Sequence, residues 1–335
     1  MRAVLLRHPG GPEVLEVVEV PDPGPPGPRE LLVALRAAGV NPIDTKLRAR
    51  GTYFPDRGPA ILGCDGAGVV IAAGDRTTRF RPGDAVYFFN GGIGDAPGTY
   101  AEATLVDERF CAPRPRALDW HRAAAAPLAL ITAWESLHDH GAIAAGAQVL
   151  IHAGAGGVGH LAVQLAALAG ARVCTTVSTP AKGDLAARLG ADEIIPYRER
   201  DFVAATRHCT GGRGADLVLD TVGGETFRRS IDATRLYGRL VTLLQPAAAE
   251  DLKAARLRSL AVALELMLAP MYFGDLAERE RQTRILERGA ELFDSGRLEV
   301  VVDRVLPLEA AADAHRLLES GAVTGKLVLE ISRDA

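Results

Sequence analysis

The chain has 335 residues, a length that suggests about two domains and allows substantial cores. Its 38 Lys and Arg residues against 42 Asp and Glu give a formal charge of −4 at pH 7, so it carries no basic footprint for nucleic acid. No apolar stretch reaches the roughly 18 uncharged residues of a membrane span, and a soluble globular protein is expected, with the cytoplasm as its default location.

The opening Met1–Pro9 segment is a short apolar run broken by Arg7, which reads as a first strand rather than a secretory signal. From there to about residue 115, β-like segments that include Leu31–Ala38, Gly68–Ala73, Asp84–Phe89 and Thr99–Val106 alternate with turn chemistry. Pro21–Pro28 is a rigid, polyproline-like connection, and Arg81-Pro82-Gly83-Asp84 is a tight turn before a strand. This spacing predicts an all-β barrel or a partly open sheet. Cys64, Cys111, Cys174 and Cys209 have neither the paired spacing of a zinc site nor the density of a disulfide scaffold, and are expected to be reduced packing residues.

After residue 118 the pattern changes to Ala- and Leu-rich helices and then to alternating strands and helices. Strands are expected at Gln148–His152, Arg172–Val177, Glu193–Ile195, Asp216–Asp220 and Arg239–Leu244, with helices near 157–169, 181–189, 199–209 and 225–234. That alternation predicts a parallel sheet with helices on both faces. Leu257–Met267 is apolar; periodicity does not separate strand from helix there, and an extended segment that adds to a partner's sheet is the preferred reading. The closing Lys326–Ile331 is β-like and is expected to return to the first domain.

Residues 154–159 read Gly-Ala-Gly-Gly-Val-Gly, a complete G-x-G-x-x-G between the apolar run Gln148–Ala153 and a helical face of Val158, Leu161, Ala162, Leu165 and Leu168 stopped by Gly170. Strand, glycine turn and helix together predict a dinucleotide site: glycines let the backbone approach a pyrophosphate, whose charge is met by free N–H groups at the helix N-terminus. Gly154, Gly156, Gly157, Val158 and Gly159 are the expected contacts.

Taken in order, Ala38-Gly39-Val40-Asn41-Pro42-Ile43-Asp44, Gly63-Cys64-Asp65-Gly66-Ala67-Gly68, Ala153–Gly159 and Gly325-Lys326-Leu327-Val328 resemble the medium-chain dehydrogenase/reductase superfamily over essentially the whole chain. Within it, the chain is most similar to the zinc-free quinone oxidoreductases. The resemblance implies an α/β protein. A GroES-like β-barrel catalytic domain would span 1–122 and 290–335, and a doubly wound Rossmann domain 123–289, with a cofactor cleft between them and a homodimer as the assembly. Zinc-dependent members place a cysteine where Asn41 stands and a His-Glu pair where Cys64-Asp65 stands. An amide and one cysteine beside one aspartate leave that ligand set incomplete, so no metal is expected; Asp65 is then a partner for backbone or a basic group, and Cys64 packs.

Without a Lewis acid an electron-poor acceptor is favoured, a quinone or an α,β-unsaturated carbonyl. The resemblance places Asn41, Asp44, Tyr53 and Thr132 around nicotinamide and substrate. Asn41 either donates to a substrate oxygen or ribose hydroxyl or marks the turn before Pro42; Tyr53 either donates a proton or walls the pocket; the Thr132 hydroxyl alternatively bonds its own helix. After the second Rossmann strand no acid is present for an adenosine ribose. Ser178, Thr179 and Lys182, with Tyr197 at the matching family position, favour NADPH over NADH. Val222, Leu244 and Gln245 are expected at carboxyl strand ends near the cofactor, and Lys326 is grouped with them. His152, His160 and His315 are expected to be solvated or hydrogen-bonded without a role. Two further readings are an enoyl-thioester reductase, slightly supported by Arg48, Arg50 and Arg57, and a non-catalytic NADPH-binding protein.

Overall fold

The computed structural model describes residues 1–245 and 249–332. The first stretch of chain forms β1 (Arg2–Leu6), β2 (Leu15–Glu19), β3 (Glu30–Val40), α1 (Pro42–Arg50), β4 (Ala60–Ile61), β5 (Asp65–Ala73), β6 (Ala85–Phe89), β7 (Ala103–Asp107) and β8 (Cys111–Pro113). The helices α2 (Trp120–Ala125) and α3 (Pro127–Trp134) lead, through a π-helical turn over Glu135–His140, into β9 (Gln148–Ile151), α4 (Gly159–Leu168), β10 (Arg172–Val177), α5 (Pro180–Arg188), β11 (Glu193–Pro196) and α6 (Phe202–Cys209). Next come β12 (Ala215–Asp220), α7 (Glu225–Ala233), β13 (Thr234–Thr242), α8 (Ala249–Leu257) and β14 (Ala261–Leu264). The chain closes with α9 (Ala269–Phe273), α10 (Leu276–Asp294), β15 (Val302–Pro307), α11 (Ala311–Glu319) and β16 (Lys326–Glu330). Among these, no helix is long and apolar enough to cross a membrane.

Two compact units result: Met1–Leu128 together with the chain from Leu268 onward, and Ala129–Met267. The second boundary differs from the one near 290 expected from sequence, because α10 belongs with the first unit. Tyr87 donates its hydroxyl to the Leu286 carbonyl at 2.5 Å, Arg279 donates to Asn90 Oδ1 at 2.6 Å, and the Arg279 guanidinium lies 3.4 Å from the Phe110 ring centroid. A helix of this length between two domain-sized patterns carries no mark in its own sequence of which core it covers.

In the first unit a seven-stranded sheet runs β15-β16-β3-β5-β6-β8, with β7 added on β3. The eleven-residue β3 pairs with β5 along one edge; its other edge is shared by β7, against Glu30–Ala34, and β16, against Ala37–Val40. The ladder therefore forks instead of circling, and the β-barrel is not closed: the partly open sheet is the reading that holds. The closing strand β16 does return to this unit, as expected. Arg81–Asp84 forms the expected tight turn, with Asp84 N–H on the Arg81 carbonyl at 3.1 Å and Gly83 at φ 98°.

In the second unit the sheet order β11-β10-β9-β12-β13-β14 is parallel throughout. Counted from β9, that is 3-2-1-4-5-6, the doubly wound Rossmann order, whose direction reverses between β9 and β12. Leu150, Val218 and Leu240 from adjacent strands meet Phe227 and Ile231 of α7 in its core. The doubtful apolar segment contains β14, which pairs with β13 of its own chain and ends the sheet.

Candidate cofactor and active site

The glycine turn follows β9 at the reversal point. Ala153 takes φ 52°, its N–H donates to Thr176 Oγ1 at 3.0 Å, and the Gly154 N–H donates to the Thr176 carbonyl at 3.1 Å. The glycines then divide by what a side chain would meet. A Cβ on Gly154 would lie 2.0 Å from Thr175 Oγ1 and one on Gly159 2.1 Å from the Ala153 carbonyl oxygen, whereas at Gly156 nothing comes nearer than 3.1 Å. Gly154 and Gly159 are therefore required by protein packing, and Gly156 keeps an open cradle clear. Among the described residues, the N–H groups of Gly157, Val158 and Gly159 meet no protein acceptor. Orphan donors at the positive end of the ten-residue α4 fit a diphosphate.

At the neighbouring strand ends the Tyr197 N–H donates to the Val177 carbonyl at 3.3 Å, which brings the segment after β11 beside the end of β10. Ser178 is half-buried there, Thr179 caps α5 by accepting the Lys182 N–H at 3.3 Å, Lys182 is half-buried, and Tyr197 is exposed. These four residues are thus gathered around the N-terminus of α5 with no carboxylate at the end of β10. Arg198, exposed beside Tyr197, adds a second basic residue to this end of the sheet that the sequence reading did not single out. Beyond the glycine turn, buried Asp220 accepts the N–H groups of Val222 and Gly223 at 3.0 and 2.9 Å on Oδ1, and the Thr242 hydroxyl at 2.9 Å on Oδ2. That carboxylate ties the ends of β12 and β13 together, leaving Val222 and Gln245 exposed and Leu244 half-buried. Thr132 is buried in α3 of the same unit.

In the first unit the sheet registers set three strands' residues side by side: β16 runs antiparallel to β3 with Leu327 opposite Val40, and β5 opposes Asp65 to Gly39. Asn41, at the junction of β3 and α1, donates Nδ2–H to Asp65 Oδ2 at 2.9 Å and accepts from Lys326 Nζ, which also lies 3.8 Å from Asp65 Oδ2. Asp65 Oδ1 accepts the Leu128 N–H at 2.8 Å. A glycine is needed opposite, because a Cβ at Gly39 would come within 2.9 Å of Asp65 Cβ and 2.4 Å of the Ala124 carbonyl oxygen. Burial pushes the Asp65 pKa up and the Lys326 pKa down, each opposed by the other's charge.

Asp44 is fully buried and accepts the Asn41 backbone N–H at 2.8 Å and the Tyr100 hydroxyl at 3.0 Å on one oxygen; burial lifts its pKa to about 7. Tyr100 also meets His315 Nε2 at 3.3 Å. Tyr53 is 41% exposed, packs edge-on against Tyr272 with ring centroids 5.3 Å apart, and has its hydroxyl pKa raised by partial burial. Tyr272 escaped the sequence reading because its partner lies across most of the chain. The three histidines are packed and hydrogen-bonded: His152 bonds Thr176 and Ser230, His160 the Gly156 carbonyl, and burial lowers the pKa of His152 to about 4 and of His315 to about 3.

Residues 27–116 match the family model "Alcohol dehydrogenase GroES-like domain" and residues 189–329 match "Zinc-binding dehydrogenase". Quinone oxidoreductase 1 of Escherichia coli K12 is 33% identical over 323 residues, 96% of each chain. The chain belongs to the medium-chain dehydrogenase/reductase superfamily, in its quinone oxidoreductase branch. The crystal structure of Escherichia coli quinone oxidoreductase complexed with NADPH superposes on this member of the superfamily with a TM-score of 0.87 at 32% identity, covering 99% of this chain and all of that one. A segment of a phenolphthiocerol/phthiocerol polyketide synthase protein from Mycobacterium tuberculosis is 33% identical over 327 residues, 97% of this chain and 14% of that protein.

The zinc named in one family description does not fit this chain's residues. Asn41 and Asp65 are engaged with the Lys326 ammonium, burial holds the Cys64 thiol well above its usual pKa, and no group of three or more His, Cys, Asp or Glu is placed to hold a metal among the described residues. Lys326, grouped with the cofactor residues, is buried in the first unit against Asn41.

Proposed function

We propose that the protein reduces quinones or α,β-unsaturated carbonyls with NADPH and without zinc. One observation carries the reading: the ammonium, amide and carboxylate of Lys326, Asn41 and Asp65 satisfy one another where zinc-dependent relatives would need metal ligands. With no metal ligand set to polarise a simple carbonyl, an acceptor that already delocalises charge is favoured. The NADPH in the Escherichia coli structure, and the quinone in that enzyme's name, point the same way.

Gly156, Gly157, Val158 and Gly159 would hold the diphosphate, and Ser178, Thr179, Lys182, Tyr197 and Arg198 the 2′-phosphate. Val222, Leu244 and Gln245 would flank the nicotinamide end. NADPH, when bound, supplies a hydride. Asn41 serves as a donor to the acceptor oxygen as charge develops on it, Tyr53 supplies the proton or excludes water, Asp44 holds Asn41 by its backbone N–H, and Thr132 orients the carboxamide or the acceptor. A homodimer through the outer edge of β14, where Leu264 and Leu266 are more than half exposed, completes the reading, with the cytoplasm as its location.

The polyketide synthase segment favours a second reading, an acyl-thioester substrate. The arginines that supported it are largely committed, since buried Arg48 bonds Glu319 at 2.5 Å and Arg57 stacks over Phe54. NADPH oxidation measured against quinones, enones and a crotonyl thioester separates the readings. Turnover is expected with the first two; thioester reduction alone would establish the second reading, and NADPH binding without turnover would mark a non-catalytic protein.

A further inference from the structure

Asn41 is held from three sides by buried groups. Its Oδ1 faces the Lys326 ammonium, one Nδ2–H is donated to Asp65, and its backbone N–H is donated to Asp44. A side-chain amide can ordinarily be turned over, exchanging oxygen for nitrogen at little cost. Here the turned amide would set NH₂ against an ammonium and a carbonyl oxygen against a carboxylate, two like-polarity contacts in a site where Lys326 and Asp65 are 3% and 0% exposed. The second Nδ2–H finds no acceptor among the described residues, and a buried donor calls for one.

We infer that Lys326 and Asp65 are positioning residues which lock the Asn41 amide in one orientation, with a single N–H left for an oxygen of the acceptor. The ammonium also draws electron density from the amide oxygen, strengthening that N–H as a donor. The lock holds the donor in place before charge develops, which is what makes such a group effective. The inference deepens the proposed function and rests on it for the identity of the oxygen. The lock itself does not depend on that.

The sequence offers a clean probe, because Asn41 and Asn90 are its only asparagines. Labelling asparagine with nitrogen-15 gives two side-chain amides, and the Asn90 amide serves as internal control. Lys326→Met alone leaves Asp65 buried and uncompensated and threatens the fold, so Lys326→Met/Asp65→Ala, which removes both charges and adds no third amide, is tested beside it. In the ligand-free protein the Asn41 amide protons should exchange slowly with water, and at least ten-fold faster in the double variant while those of Asn90 are unchanged. Unaltered exchange overturns the lock. With a quinone, Asn41→Ala should lower kcat by about 100-fold, the scale of losing one oxyanion donor, without weakening NADPH binding. Adding the Lys326→Met/Asp65→Ala pair to Asn41→Ala should then lower kcat no further, because the pair acts through Asn41. A further independent loss of similar size overturns the positioning role. Wild-type kcat in Asn41→Ala, with altered exchange in the double variant, refutes the donor role in the proposed function and leaves the lock standing.

Discussion

Replacing Gly156 with alanine separates ligand from fold at the glycine turn. The new Cβ lies 3.1 Å from the Ala153 carbonyl oxygen, its nearest neighbour, so that oxygen must give by a few tenths of an ångström, a far smaller displacement than Gly154→Ala demands. The methyl group then fills the cradle beside the free N–H groups. Losing one charge-assisted contact to a diphosphate oxygen costs about 1.5–3 kcal/mol, or roughly ten- to hundred-fold in Kd. Gly154→Ala behaves oppositely. Its Cβ would meet Thr175 Oγ1 at 2.0 Å and break the bond that this fully buried hydroxyl donates to the Ile151 carbonyl at 2.6 Å. That costs about 1–3 kcal/mol, or several degrees of Tm in a protein of this size. Thermal unfolding and NADPH fluorescence titration read the two effects. Wild-type NADPH affinity in Gly156→Ala would refute the cradle.

Lys182→Ala should weaken NADPH about ten-fold, the loss of roughly 1–2 kcal/mol in one charge-assisted contact, and leave NADH nearly unchanged; equal loss of both cofactors in titrations would assign Lys182 to the fold. Tyr53→Phe should lower kcat on enones if its hydroxyl supplies the proton, and unchanged kcat and KM would leave Tyr53 as a wall beside Tyr272. Asp44, facing Tyr100, Asp65 and Lys326, has its pKa lifted by burial from 3.8 to about 7. The folded state therefore holds the extra proton between those values, and this contribution to stability is lost as pH rises through them. In Asp44→Asn it disappears, so the Tm of the variant relative to wild type should rise between about pH 5 and 7.5; parallel profiles would contradict the shift.

The glycine fingerprint was legible because its evidence is local: an apolar run, the spaced glycines and a one-faced helix all lie within 154–170 and its flanks. Five of the second unit's six strands read correctly for the same reason, while the sixth, β14, lies in the segment that periodicity left undecided. The order of those strands came only from the family resemblance, since strand neighbours follow from long-range pairing. Asp65 was read as the partner of backbone or a basic group, which Leu128 and Lys326 supply. The contact of Lys326 with Asn41 was not readable, because only the β16–β3 register brings the two together. The barrel failed to close for a reason no alternation pattern encodes, the sharing of one β3 edge between β7 and β16. The dual role of Thr179, a phosphate candidate that also caps α5, became visible only with the helix in place.

Metal-free reduction of an electron-poor acceptor by NADPH can be read in a single assay. The most direct measurement is the rate of NADPH oxidation with a simple benzoquinone by protein treated with a chelator, with zinc content determined on the same sample. Full activity with far less than one zinc per chain, and a preference for NADPH over NADH, is the expected result. Activity lost on chelation and restored by one equivalent of zinc would contradict it.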